Sequence, residues 1–101
     1  MKGRICVDGY KFTNEHEYKR YLGVMELVKS GRIKQLEVKP KFPLVVNEIM
    51  VDQYIPSFHF FDPMKNQERF IQVMGWATNQ ALELRIRLFE ALYNHTVERW
   101  G

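Results

Sequence analysis

The stretch that most limits what this chain can become is Tyr54–Trp76, YIPSFHFFDPMKNQERFIQVMGW. It predicts two strands, Tyr54–Phe61 and Arg69–Gly75, joined by the turn-forming run Asp62-Pro63-Met64-Lys65-Asn66. Proline fixes one dihedral of such a turn and asparagine tolerates a left-handed one. Side chains alternate along a strand, so Ser57, His59 and Phe61 share one side of the first strand, and Phe70, Gln72 and Met74 one side of the second. The expectation is a hairpin on which Ser57, Gln72 and Met74 meet on one face.

The flanking segments supply the other elements. A helix is predicted from a cap at Thr13 or Asn14 to Ser30-Gly31, with Tyr18, Tyr21, Leu22, Met25 and Val28 as its buried stripe. Glu17, three residues after Asn14, has the spacing of a capping box. Ile33–Lys39 alternates and reads as a strand interrupted by Pro40. Phe42–Val46 reads as the next strand, with a turn at Asn47-Glu48, and Ile49–Gln53 as a lead into the hairpin. A second helix is expected from a cap at Thr78 or Asn79 to about Tyr93, with Glu83, Arg87 and Glu90 on its polar face and Arg85 inside the apolar arc. Thr96–Trp100 closes the chain as a short strand.

On these residues the chain resembles the small phage-borne nucleases of the PD-(D/E)XK superfamily, in particular a short, Holliday-junction-resolvase-like family known only as a domain of unknown function. The resemblance rests on Asp8-Gly9-Tyr10-Lys11-Phe12, on Leu36–Phe42 with Lys39 where the family has glutamine, and on the hairpin. It covers nearly the whole chain. It implies an α/β fold of restriction-endonuclease type, a mixed sheet flanked by helices in the order α-β-β-β-α-β, as one domain over residues 1–101. It also implies a metal site: an aspartate in the first hairpin strand, then an acidic residue, a spacer and a lysine in the second. Here those positions are Ser57, Gln72 and Met74. Glu17 matches the acidic residue of the family's first helix, and Arg85 and Arg87 its basic pair.

The chemistry of the replacements is unfavourable to cutting. Mg²⁺ is held by carboxylates, waters and phosphate oxygens. A hydroxyl and an amide bring no charge to offset its dehydration, and a thioether is too soft a ligand for it. The expectation is therefore a catalytically inactive nuclease scaffold that acts by binding DNA or a host protein such as a defence complex. No catalytic residue and no cofactor are assigned. The alternative is an active Mg²⁺-dependent endonuclease or junction resolvase, its metal site relocated among Glu17, Asp52, Asp62 and Glu68.

Composition bounds the partners. Fifteen Lys and Arg against twelve Asp and Glu give +3, an excess that permits nucleic-acid contact without demanding it. Lys39, Lys41, Arg85, Arg87 and Trp76 are the candidate residues for a nucleic acid or protein partner. A single cysteine, Cys6, excludes an internal disulfide and fits a reducing, cytoplasmic setting. No eighteen-residue apolar span and no export signal is evident, so no membrane association is expected; a homodimer is left open. His16, His59 and His95 are scattered; His59 is assigned to the Ser57 side of the hairpin, with no acid to orient it as a base.

Overall fold

A computed structural model describes residues 5–7, 9–12, 15–74 and 80–101. The caps expected at Thr13 or Asn14 and at Thr78 or Asn79, together with Trp76, lie outside the described residues. The elements run β1 (Ile5–Val7), β2 (Tyr10–Phe12), α1 (Glu15–Lys29), β3 (Lys34–Val38), β4 (Phe42–Val46), β5 (Ile49–Tyr54), β6 (Phe58–Asp62), β7 (Gln67–Val73), α2 (Gln80–Tyr93) and β8 (Val97–Trp100). The fold is mixed α/β. Its centre is a four-stranded sheet in the order β3-β6-β7-β8, antiparallel except for the β7–β8 pair. A parallel neighbour requires a crossover, and α2 provides it.

α1 covers one face of this sheet, through Tyr21 and Val24 packed with Phe58, Phe60, Ile71 and Val73. α2 covers the other, through Ile86 and Phe89 packed with Phe70, Val97, Leu44 and Tyr54. The alternation along β7 thus splits its residues between the two helices, Phe70 and Gln72 toward α2, Ile71 and Val73 toward α1. Around the central sheet alone, the chain order is α1-β3-β6-β7-α2-β8. Two further ribbons, β1–β2 and β4–β5, are additions to it.

Three expectations need correction. Tyr54–Phe61 is not one strand. Tyr54 ends β5 opposite Phe42, and β6 begins only at Phe58. Pro56 lies in the break; it has no N–H for a sheet ladder and its φ is fixed, so the chain changes ribbons there. Ile49–Gln53 therefore folds back on β4 instead of feeding the central hairpin, through the two-residue turn Asn47-Glu48, with φ of 50° and 66°. Positive φ at both turn residues matches the twist of the flanking strands. On α1, Leu22 is exposed and Val24 is buried, because the buried line runs through Glu17, Tyr21 and Val24.

The ends of the elements have local causes. Gly31, at φ 78°, closes α1 with its N–H on the Val28 carbonyl while the Arg32 N–H reaches the Leu27 carbonyl, the paired bonds of a Schellman cap. Asp62 Oδ1 accepts the Met64 and Lys65 N–H groups at 3.0 and 3.3 Å, and Asn66 takes φ 52°, which together fix the β6–β7 turn. A bulge interrupts β3 between Lys34 and Glu37, with Gln35 at φ 57°.

The β7–β8 edge carries the main charged clamp. Arg69 donates from Nε and NH2 to both oxygens of Glu98 at 2.7 and 2.6 Å, and from NH1 to Asp62 at 3.2 Å. The hydrogen bonds from Arg69 hold the Glu98 carboxyl below its ordinary range, against the opposing effect of burial. A carboxyl with a depressed folded-state pKa contributes stability above its unfolded value, about 4.3 for glutamate, and loses that contribution as pH falls through the folded value. Glu98→Gln should therefore be less stable than the parent at pH 7 in urea denaturation. The gap should narrow as pH drops below about 4.

Candidate functional site

The positions singled out in the hairpin do not converge on one another. Ser57 lies in the break before β6 with 1% of its surface exposed. Its N–H donates to the Ile71 carbonyl at 2.9 Å, and its carbonyl accepts the Lys39 N–H at 3.0 Å. Its hydroxyl turns toward α1, donating to Glu17 Oε2 at 2.8 Å and accepting the Val73 N–H at 3.0 Å. Gln72 turns to the opposite, α2 side. There its Oε1 accepts the Tyr54 hydroxyl at 2.7 Å while its Nε2 donates to the Val73 carbonyl at 3.2 Å. Met74, just past β7, donates its N–H to the Trp100 carbonyl at 2.7 Å. The expected single face of Ser57, Gln72 and Met74 is thus not formed. The break at Pro56 frees Ser57 from the strand alternation that would have placed it beside Gln72.

What the fold does bring together is Glu17, Ser57 and Lys39. Glu17 is buried in the first turn of α1, where a negative side chain is favoured by the helix dipole. Its Oε1 lies 3.0 Å from Lys39 Nζ, and its Oε2 takes the Ser57 hydroxyl. Lys39 follows β3 with φ 54°, and about a quarter of its side chain is exposed. One network therefore runs from the Lys39 ammonium through the Glu17 carboxylate and the Ser57 hydroxyl to the Val73 amide. It ties α1, the end of β3, the start of β6 and β7 at one point. The capping spacing of Glu17 does not account for its carboxylate, which reaches across the fold.

This donor set does not suit a divalent cation. The one buried carboxylate already faces an ammonium, and a second positive charge beside Lys39 would be repelled. The hydroxyl of Ser57 is used as both donor and acceptor. Among the described residues no three His, Cys, Asp or Glu side chains are placed to hold a metal ion. The four acids considered for a relocated site are dispersed: Glu17 on Lys39, Asp52 on Arg85 at 2.8 Å, Asp62 on Arg69, and Glu68 on His59 at 2.9 Å. Among the described residues, no buried side-chain nitrogen or oxygen lacks a partner.

The other candidates are placed as follows. Arg85 reaches β5 and pairs with Asp52, beside a shallow cavity of about 270 Å³ that Tyr54 and Leu82 also line, so its position in the apolar arc of α2 serves an inter-element ion pair. The hydrogen bond from Arg85, with that of the Gln53 amide, holds the Asp52 carboxyl below its usual range. Lys41 and Arg87 are exposed. Tyr54 is buried, and that burial raises its phenol well above the ordinary value, keeping the hydroxyl a donor to Gln72. His59 does not sit with Ser57. It stacks on Phe70 with ring centroids 4.3 Å apart, and its two ring nitrogens meet Glu37 at 2.6 Å and Glu68 at 2.9 Å. Cross-strand neighbours place it there, Glu37 opposite on β3 and Phe70 opposite on β7.

Lys39 was expected to contact a partner, and its pairing with Glu17 is not visible in sequence distance. The one available signal is that Lys39 occupies a position where the resembled family carries a neutral glutamine. No described helix is long and apolar enough to cross a membrane.

A family model described as "Protein of unknown function (DUF1064)" matches residues 2–101. Comparison with curated proteins returns no match, and neither does comparison with solved structures.

A buried charge left without its partner is costly, about 3 kcal/mol or more. Lys39→Met should therefore destabilise the fold by about 3 kcal/mol in chemical denaturation. Adding Glu17→Gln should recover a large part of that loss, since the amide still accepts from Ser57. Additive losses in the double variant would mean that the two side chains do not act as a pair.

Proposed function

The chain belongs to the DUF1064 family, and from that premise we propose that it is a nuclease-like α/β scaffold that works by binding and not by cutting. The observation that carries this reading is the charge state of the site. Where the resemblance calls for carboxylates around a cation, the fold sets the buried carboxylate of Glu17 3.0 Å from the ammonium of Lys39. The order α1-β3-β6-β7-α2-β8 around the central sheet supports kinship with the PD-(D/E)XK core. The replacement of its three metal-site residues by Ser57, Gln72 and Met74 supports loss of hydrolysis. A phosphodiester-cleaving site needs a cation or fixed donors for the developing charge and a base for the water. Neither a thioether nor a hydroxyl already engaged with Glu17 supplies them.

A protein is the better-supported partner class than DNA. A DNA-binding reading rests on the candidate cations Lys39, Lys41, Arg85 and Arg87. Lys39 and Arg85 are each matched by an acid of their own, Glu17 and Asp52, which weakens their pull on a phosphate backbone. Apolar side chains, in contrast, are exposed together on the β4–β5 ribbon: Val45, Ile49, Met50 and Val51 are each between 43% and 65% accessible. Contiguous exposed apolar surface of this kind marks a protein contact more often than a solvated face.

Purified protein incubated with duplex and branched DNA in millimolar Mg²⁺ should leave both intact. Mg²⁺-dependent cleavage that EDTA stops and a Ser57→Ala/Gln72→Ala/Met74→Ala variant lacks would contradict the proposal at its base.

A further inference from the structure

We infer that the apolar end of the β4–β5 ribbon docks onto α2 of a second copy of this chain, giving a two-fold dimer with reciprocal contacts. This names the occupant of the apolar surface described above, and so rests on reading that surface as a protein interface. It does not depend on whether the scaffold cuts.

The ribbon is fastened to α2 near its base. Tyr93 donates its hydroxyl to the Pro43 carbonyl at 2.7 Å, and Arg85 holds Asp52. Beyond those contacts the strands carry apolar side chains on both faces. Val46 pairs across the ribbon with Ile49, and Val45 with Met50. Side chains opposite each other in an antiparallel pair share a face, so neither face of this ribbon end is polar. Leu44 and Tyr54, nearer the base, are buried, whereas Ile49 and Met50 are 65% and 57% exposed. A two-stranded ribbon with both faces apolar and, among the described residues, no third strand on either edge is poorly suited to water alone.

The seat is on the same side of the central sheet. Leu84, Leu88 and Leu92 recur every four residues along α2 and therefore form one stripe. Leu88 packs partly into the α2 core, but Leu84 is 66% and Leu92 41% exposed. Each protomer thus offers both a projecting apolar ribbon and an open leucine stripe. A two-fold axis that seats one ribbon on the other protomer's stripe satisfies both at once, which is the self-complementarity an isologous interface requires.

Charge agrees with this occupant. Glu48 sits exposed at the ribbon tip, and Arg87, three residues after Leu84, is exposed beside the stripe. A ribbon laid on the partner's stripe brings these opposite charges to the rim of the contact, where they set orientation.

The test uses the full chain and its oligomeric state in solution. Sedimentation should give twice the 12.1 kDa chain mass at micromolar concentration. Ile49→Ser and Leu84→Ser, changes at exposed positions on opposite halves of one contact, should each raise the dissociation constant about a hundredfold or more. Glu48→Arg and Arg87→Glu should each weaken self-association about tenfold. Mixing those two variants should restore it, because the heterodimer alone has opposite charges at both contacts. Circular dichroism matching the parent keeps misfolding from passing as dissociation. A monomer at all accessible concentrations overturns the inference, as does a dimer indifferent to Ile49 and Leu84 or a mixture no stronger than its components. A monomer that still captures a foreign protein through Ile49 would defeat self-docking and leave the binding function standing. A dimer that cuts DNA would do the reverse.

Discussion

The contact on which the rest of this structure turns is the pairing of Glu17 with Lys39 and Ser57. A carboxylate taken out of water must recover its lost hydration from charge and hydrogen bonds, or the fold cannot afford it. Glu17 recovers it from an ammonium at 3.0 Å and a hydroxyl at 2.8 Å. The hydroxyl in turn accepts the Val73 amide, where β7 ends. Three groups from distant parts of the sequence thereby fix where α1 sits on the sheet, where β3 ends and how β6 begins.

The same contact decides the chemistry. A cation site and an ion pair are alternative ways to neutralise a buried carboxylate, and here the neutralising charge is covalently part of the chain. Elsewhere in the fold other polar groups are likewise paired: Gln72 with the Tyr54 hydroxyl and the Val73 carbonyl, Asp52 with Arg85, Glu68 with His59. The ribbon and the stripe of α2, in contrast, keep apolar area in the open.

How much of this the sequence disclosed depends on the range of the interaction. Periodicity placed α2 to its last residue, and turn chemistry placed Asn47-Glu48, Asn66 and the Gly31 cap, because those signals are local. The site was not legible in this way. Alternation put Ser57 beside Gln72, but alternation holds only within a strand, and Pro56 breaks the strand one residue earlier. Helical spacing on α1 points to Leu22 as readily as to Val24, because several apolar residues compete there, and only the sheet beneath selects Val24. The Glu17–Lys39 pair joins a helix to a strand end, and no local rule forecasts such a meeting. The residues alone point to Glu17 as a candidate acid and to Lys39 as a departure from the resembled family's glutamine, and no further.

The most direct measurement of the central claim is the effect of a paramagnetic divalent ion on the backbone amide spectrum. If Lys39 supplies the charge at Glu17, millimolar Mn²⁺ should leave the Ser57 and Val73 amide signals at the intensity of those of distant core residues such as Phe89. Selective, saturable broadening of Ser57 and Val73, reversed by Mg²⁺, would show a metal held where the account places an ammonium.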